Sequence, residues 1–105
     1  MIFSKYKNKK TKIFSETFDS KAELSYWQKL LILEKAGKIT DLKRQVKFLL
    51  IPKIEKNRAV YYIADFVYFE NDKKIVADKK GFITDVYKIK KKLMKYIHNI
   101  DILEV

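Results

Sequence analysis

Three side chains capable of acid–base or metal chemistry sit where a folding chain ordinarily places none. Tyr62-Ile63-Ala64-Asp65-Phe66-Val67-Tyr68 and Ile75-Val76-Ala77-Asp78-Lys79-Lys80-Gly81 each put an aspartate inside a run that otherwise reads as buried strand. An ionised carboxylate taken out of water without a partner costs on the order of several kcal/mol, so Asp65 and Asp78 require a cation or hydrogen-bond donors. Side chains two apart share a strand face, which puts Lys80 beside Asp78, about 7 Å along the backbone, with Lys79 on the other side. If the two runs form an antiparallel hairpin, Asp65 can lie next to Asp78, and two such carboxylates repel unless a cation sits between them. Oxygen ligands of this kind select Mg²⁺ or Mn²⁺. The chemistry that fits is phosphodiester hydrolysis, in which the cation acidifies a water and neutralises developing charge while Lys80 holds the water or the phosphate.

Glu23 is a candidate third acid, and Gln45 a hydrogen-bonding partner behind the site. Each residue also has a plainer reading. Ser20-Lys21-Ala22-Glu23 is a capping box that would use Glu23 to close a helix start. Asp65 could belong to a structural ion pair, Asp-x-Lys arises by chance in a lysine-rich chain, and Gly81 serves equally as a strand-to-helix turn or as a close approach to phosphate. Zero cysteines exclude thiolate chemistry and disulfides, and a single histidine, His98, makes a His-rich zinc site or a His-based triad implausible. His98 is expected to meet the carbonyls at its helix end.

The elements that must carry these residues follow from spacing. Ala22, Tyr26, Leu30, Ile32 and Leu33 recur at roughly helical intervals, so a helix is expected from about Ser20 to Ala36, stopped by Gly37. Thr40 to Lys43 reads as a turn, Val46 to Ile51 as a first strand, and Glu55-Lys56-Asn57-Arg58 as a hairpin turn. Ala59 to Phe69 suits a central strand covered on both sides, and Asn71-Asp72 turns into a third strand from Lys74 to Lys80. Thr84-Asp85 opens a second helix with Val86, Ile89, Leu93 and Ile97 on its apolar face and most lysines opposite. A short strand with Ile100, Ile102 and Val105 ends the series.

At 105 residues one domain is expected. Residues 1–18 read as a basic N-terminal arm, ordering on a partner, and 19–105 as the folded domain. The 48% hydrophobic content, with seven Phe, seven Tyr and one Trp, is that of a globular chain. Its formal charge of +11, from 24 Lys and Arg against 13 Asp and Glu, implies a polyanionic partner, DNA or RNA first. All of these cations but Arg44 and Arg58 are lysines, so compositional bias supplies part of the surplus. Lys9, Lys10, Gln45, Lys88 and Lys91 are the expected nucleic-acid contacts, with Lys88 the best placed for an active-site phosphate. Tyr6 and Trp27 could stack on bases, although Trp27 also suits a core or dimer contact. No run reaches the ~20 apolar residues a bilayer needs, and no apolar core follows the basic N-terminus, so a cytoplasmic location without membrane contact is expected.

An acidic residue on a first helix, a strand aspartate and (D/E)-x-K on the next strand resemble the PD-(D/E)xK nuclease superfamily. More closely, Phe18-Asp19-Ser20-Lys21-Ala22-Glu23, Ile39-Thr40-Asp41-Leu42, Tyr62-Ile63-Ala64-Asp65-Phe66 and Asp78-Lys79-Lys80-Gly81-Phe82 look like a small phage-associated family of uncharacterised proteins placed in that superfamily. The chain departs from the pattern at Lys7, Ala77 and Lys79, where the family has a glycine, an acid and an aliphatic residue. The resemblance implies an α/β fold with an αβββαβ core, a mixed central sheet flanked by helices. It implies a Mg²⁺-dependent endodeoxyribonuclease with Glu23, Asp65, Asp78 and Lys80 as the catalytic set, and with Asp65, Asp78 and Glu23 on the metal. Phage members of the superfamily include resolvases that cut branched DNA as homodimers, so a homodimer acting in the host cytoplasm is the corresponding expectation. The competing readings are a non-catalytic nucleic-acid-binding module and a small phage protein that inhibits a host factor.

Overall fold

A computed structural model describes residues 11–13, 16–18 and 20–105. Within the basic arm, β1 (Thr11–Ile13) and β2 (Glu16–Phe18) pair as an antiparallel hairpin; Tyr6, Lys9 and Lys10 lie outside the described residues. The remaining order is α1 (Lys21–Lys35), β3 (Thr40–Ile51), β4 (Val60–Glu70), β5 (Lys73–Asp78), α2 (Asp85–His98) and β6 (Leu103–Glu104). The four long-range strands form one sheet in the order β3-β4-β5-β6. It is mixed, because β3, β4 and β5 are antiparallel neighbours while β6 runs parallel to β5 after the α2 crossover. The protein is therefore mixed α/β, with helix, three strands, helix and strand in the expected succession.

Both helices begin as their sequences dictate. Ser20 and Thr84 cap α1 and α2 by accepting hydrogen bonds from the Glu23 and Tyr87 amides at 3.1 and 3.0 Å. Adjacent residues of β5 show that the helices cover opposite faces of the sheet. Val76 packs with Tyr87 and Met94 of α2, whereas Ala77 packs with Leu30 of α1. On the α1 side the anchor is Phe66, fully buried between Tyr26 and Trp27, with ring centroids at 5.4 and 6.1 Å. Burial of such a ring contributes roughly 1.5–3 kcal/mol.

Three local expectations are corrected. Thr40 to Lys43 is not a turn but the start of β3, since Thr40 already pairs with Phe69; a register shift before Lys43 and a positive φ at Asp41 put a bulge into the strand, and the turn-like residues accommodate it. The third strand ends at Asp78, before Lys79 and Lys80. On α2 the buried residues are Tyr87 and Met94; of the expected face only Leu93 packs against the core, while Val86, Ile89 and Ile97 are exposed. The apolar residues of α2 span about half of the helix circumference, and the sheet takes the edge of that arc on which Tyr87 and Met94 lie, Tyr87 packing on Tyr62 with ring centroids 6.4 Å apart.

One irregularity decides where the site lies. Val46, Phe48 and Leu50 of β3 and Tyr62 and Ala64 of β4 all face α2. Further along, Leu42 of β3 and Phe66 and Tyr68 of β4 pack on the α1 side, and Arg44 lies over the Trp27 ring at 5.7 Å. Residues two apart should share a face, so both strands change face at the same rung, Gln45 opposite Asp65. Pairing continues in step across it, Arg44 with Phe66 and Val46 with Ala64. Gln45 achieves the change with φ +52, a left-handed conformation that costs a non-glycine residue on the order of 1 kcal/mol.

Candidate active site

The changeover rung lies next to the open end of the β4–β5 hairpin. At the closed end Asn71 and Asp72, both with positive φ, form the tight turn, and the backbone ladder runs from Glu70↔Lys73 to Phe66↔Ala77. There it stops. The next amide of β4, that of Asp65, donates to Asp78 Oδ1 at 3.0 Å, and the amide of Lys79 donates to Asp65 Oδ2 at 3.0 Å. Two side-chain carboxylates thus take over from backbone carbonyls where the strands part.

Asp78 is 2% exposed and has two more partners. Tyr62 donates its hydroxyl to Oδ2 at 2.6 Å, and the Lys80 ammonium lies 2.9 Å from the same oxygen. Lys80 also stands over the Tyr87 ring, 4.1 Å from its centroid. Tyr87 in turn donates to Glu104 Oε2 at 2.7 Å, an oxygen that Lys91 reaches at 2.8 Å. Asp65, half-buried, has Gln45 Nε2 at 3.5 Å from Oδ1, and the same nitrogen is 3.5 Å from Glu23 Oε2. These two contacts are at the long limit for hydrogen bonds. Glu23, buried in the first turn of α1, is also bound by Arg44 at 3.2 Å.

The electrostatics follow from this crowding. Burial, and then the negative charge of Asp78, push the Asp65 carboxyl up to about 7, against the pull of the Lys79 amide. Burial and the bond to Asp78 raise the Tyr62 hydroxyl far above its ordinary value, so it remains a donor at any working pH. Burial and Glu104 raise Tyr87 likewise. The Lys91 and Tyr87 hydrogen bonds hold the Glu104 carboxyl below its usual range.

Asp65, Asp78, Lys80, Tyr62 and Tyr87 line a cleft of about 280 Å³ that Thr84, Val86 and Lys90 of the α2 start complete. Among the described residues no three Asp, Glu or His side chains stand close enough to share one cation as arranged. The donor chemistry nevertheless fits a hard divalent ion: Asp65 and Asp78 offer adjacent oxygens, and the crowding that raises Asp65 is relieved by a cation. His98 is remote from the cleft, its Nε2 2.8 Å from the Leu49 carbonyl of β3 instead of its own helix end.

Sequence-derived candidates therefore divide. Asp65, Asp78 and Lys80 come together as expected, and Glu23 joins them through Gln45, which lies within β3 and not at its entry. Lys88 is largely exposed beside Asp85, and Lys91 is engaged by Glu104, whereas Lys90 of the same helix lines the cleft. A Cβ at Gly81 would meet nothing within 4 Å, so no crowding requires that glycine. Tyr62, Tyr87, Arg44 and Glu104 were not singled out by sequence. The one available signal was the need of a tyrosine in a core strand for a hydrogen-bond partner.

Fold and site together define a mixed α/β protein with a carboxylate pair and a lysine at the open end of a hairpin. Residues 3–102 match the family model described as "Protein of unknown function (DUF1064)", and the chain belongs to that family. No curated protein and no solved structure matches it. Among the described residues no helix is long and apolar enough to cross a membrane.

Proposed function

We propose that the protein is a Mg²⁺- or Mn²⁺-dependent endonuclease that hydrolyses DNA phosphodiester bonds, on a core of the PD-(D/E)xK type. The observation that supports this most directly is convergence. Polar side chains from α1, β3, β4 and the end of β5 meet at one open-sided spot: Glu23, Gln45, Asp65, Asp78 and Lys80.

On this reading Asp65 and Asp78 hold the cation, and Glu23 orients Asp65 through Gln45. A bound divalent ion supplies acidification of the attacking water and neutralisation of charge on the phosphate. Lys80, at the cleft edge and one quarter exposed, turns its ammonium from Asp78 to a phosphate oxygen. Tyr62 keeps Asp78 in place throughout, because its short bond leaves the carboxylate little freedom to rotate. The partners are DNA and, by analogy with the branched-DNA resolvases of that superfamily, a second copy of the chain. The corresponding location is the cytoplasm of a phage-infected host.

A second reading has its own support. Asp78 is already satisfied by Tyr62, Lys80 and the Asp65 amide, as a purely structural carboxylate in a nucleic-acid-binding module would be. Cleavage assays on linear, single-stranded and four-way-junction DNA with Mg²⁺ or Mn²⁺ separate the two. The nuclease cuts, and Asp78→Asn, which keeps the shape and an acceptor oxygen, abolishes cutting while metal-free DNA binding persists. A folded Asp78→Asn variant that cuts at the wild-type rate overturns the catalytic assignment.

A further inference from the structure

The rim of the cleft is apolar in a way that phosphate chemistry does not use. Phe82 lies in the chain between Lys80 and Thr84, both of which line the cleft, and is 77% exposed. Val86 and Ile63, also lining it, are 62% and 46% exposed. Large apolar groups left in water at one edge of a site mark a surface that is covered when the site is filled. The charge around them states what covers it. In the stretch from Lys79 to Lys90 that carries Phe82 and Val86, Lys79, Lys80, Lys88 and Lys90 stand against one acid, Asp85, which lies 3.9 Å from Lys88, while Lys80 pairs with Asp78 inside the cleft, leaving the outer edge basic. A basic surface carrying an exposed ring fits a polyanion that also presents flat apolar faces.

Regular duplex DNA presents phosphates and groove edges but hides its base faces in the stack. An unstacked strand presents both, and base-on-aromatic stacking is how sequence-indifferent proteins hold it. We infer that the site takes nucleic acid with accessible base faces, a single strand or an unpaired strand end, and that Phe82 is the ring on which a base stacks beside the cleft. This rests on the nuclease reading for what happens to the bound strand, but the binding preference stands without it.

The test uses the full chain in EDTA, with a fluorescently labelled 20-nucleotide single-stranded DNA and the blunt duplex of the same sequence, titrated by anisotropy at one fixed salt concentration. The single strand should bind tighter. Phe82→Ala, at an exposed position that leaves the core intact, should weaken single-strand binding by about 5- to 150-fold and duplex binding by less than about twofold. Phe82→Trp should restore it. Tighter duplex binding, an equal loss on both probes, or no binding of either overturns the inference. So does a Phe82→Ala variant that dissociates a dimer in sedimentation while binding both DNAs as before, because the rim then belongs to a protein contact. The two readings fail separately: single-strand preference without Asp78-dependent cleavage leaves the inference standing and removes the nuclease, whereas cleavage of duplex untouched by Phe82→Ala does the reverse.

Discussion

The β4–β5 hairpin ends in two different ways, and the contrast marks off the candidate site. At its closed end, Asn71 and Asp72 turn the chain and the ladder is complete from Glu70↔Lys73 onward. At its open end, backbone pairing stops at Phe66↔Ala77 and two carboxylates bind the next amides instead. A backbone carbonyl can only finish a ladder; a carboxylate can finish it and still present charge to the cleft. The same residues thus serve stability and the candidate chemistry, and any variant must be read for both.

Removing Asp78 breaks the contrast most severely. Asp78→Ala leaves the Tyr62 hydroxyl and the Asp65 amide without their acceptor and Lys80 without its partner, so a loss of about 3–5 kcal/mol in denaturant unfolding is expected. A loss below about 1 kcal/mol would show that the open end does not need its carboxylate. The effect of pH comes next. Because Asp65 is raised from 3.8 to about 7, the folded state binds more protons than the unfolded state between those values. Stability therefore falls as pH rises through that window and is flat above it; Asp65→Asn should level the melting temperature between pH 5 and 7.5. A wild-type melting temperature that climbs across this range would contradict the arrangement. The closed end should respond least and in the opposite direction: Asp72→Gly, which relieves φ +63 in a turn that favours glycine there, should raise stability by a few tenths to about 1 kcal/mol.

How much of this was legible in the sequence can be judged residue by residue. Ser20 and Thr84 marked helix starts because capping is local chemistry, and Asn71-Asp72 marked a turn for the same reason. Asp65, Asp78 and Lys80 were legible as a group because a charge inside an apolar strand demands a partner. What stayed hidden depends on contacts between distant segments. Tyr62 could not be assigned to Asp78 without the hairpin register, nor Arg44 to Glu23 without α1 lying over β3. On α2 the stripe of Val86, Ile89, Leu93 and Ile97 is the more regular in sequence, yet only Leu93 of it reaches the core, because the inward turn of the helix is set by Tyr87 and Met94 against the sheet. The first four residues of β3, Thr40 to Lys43, carry turn-like types because a bulge lies there.

The shared change of face at Gln45 and Asp65 has a consequence for folding fidelity. An ordinary strand pair can slip by two residues and keep every side chain on its proper side, which makes such slips a common error; only odd slips are punished. Here the changeover on β3 must meet the changeover on β4. A two-residue slip would separate them, leaving the stretch between with inward residues turned outward on one strand and not on the other. The rung that gathers the carboxylates thus also works as a detent that clicks the two longest strands into one alignment.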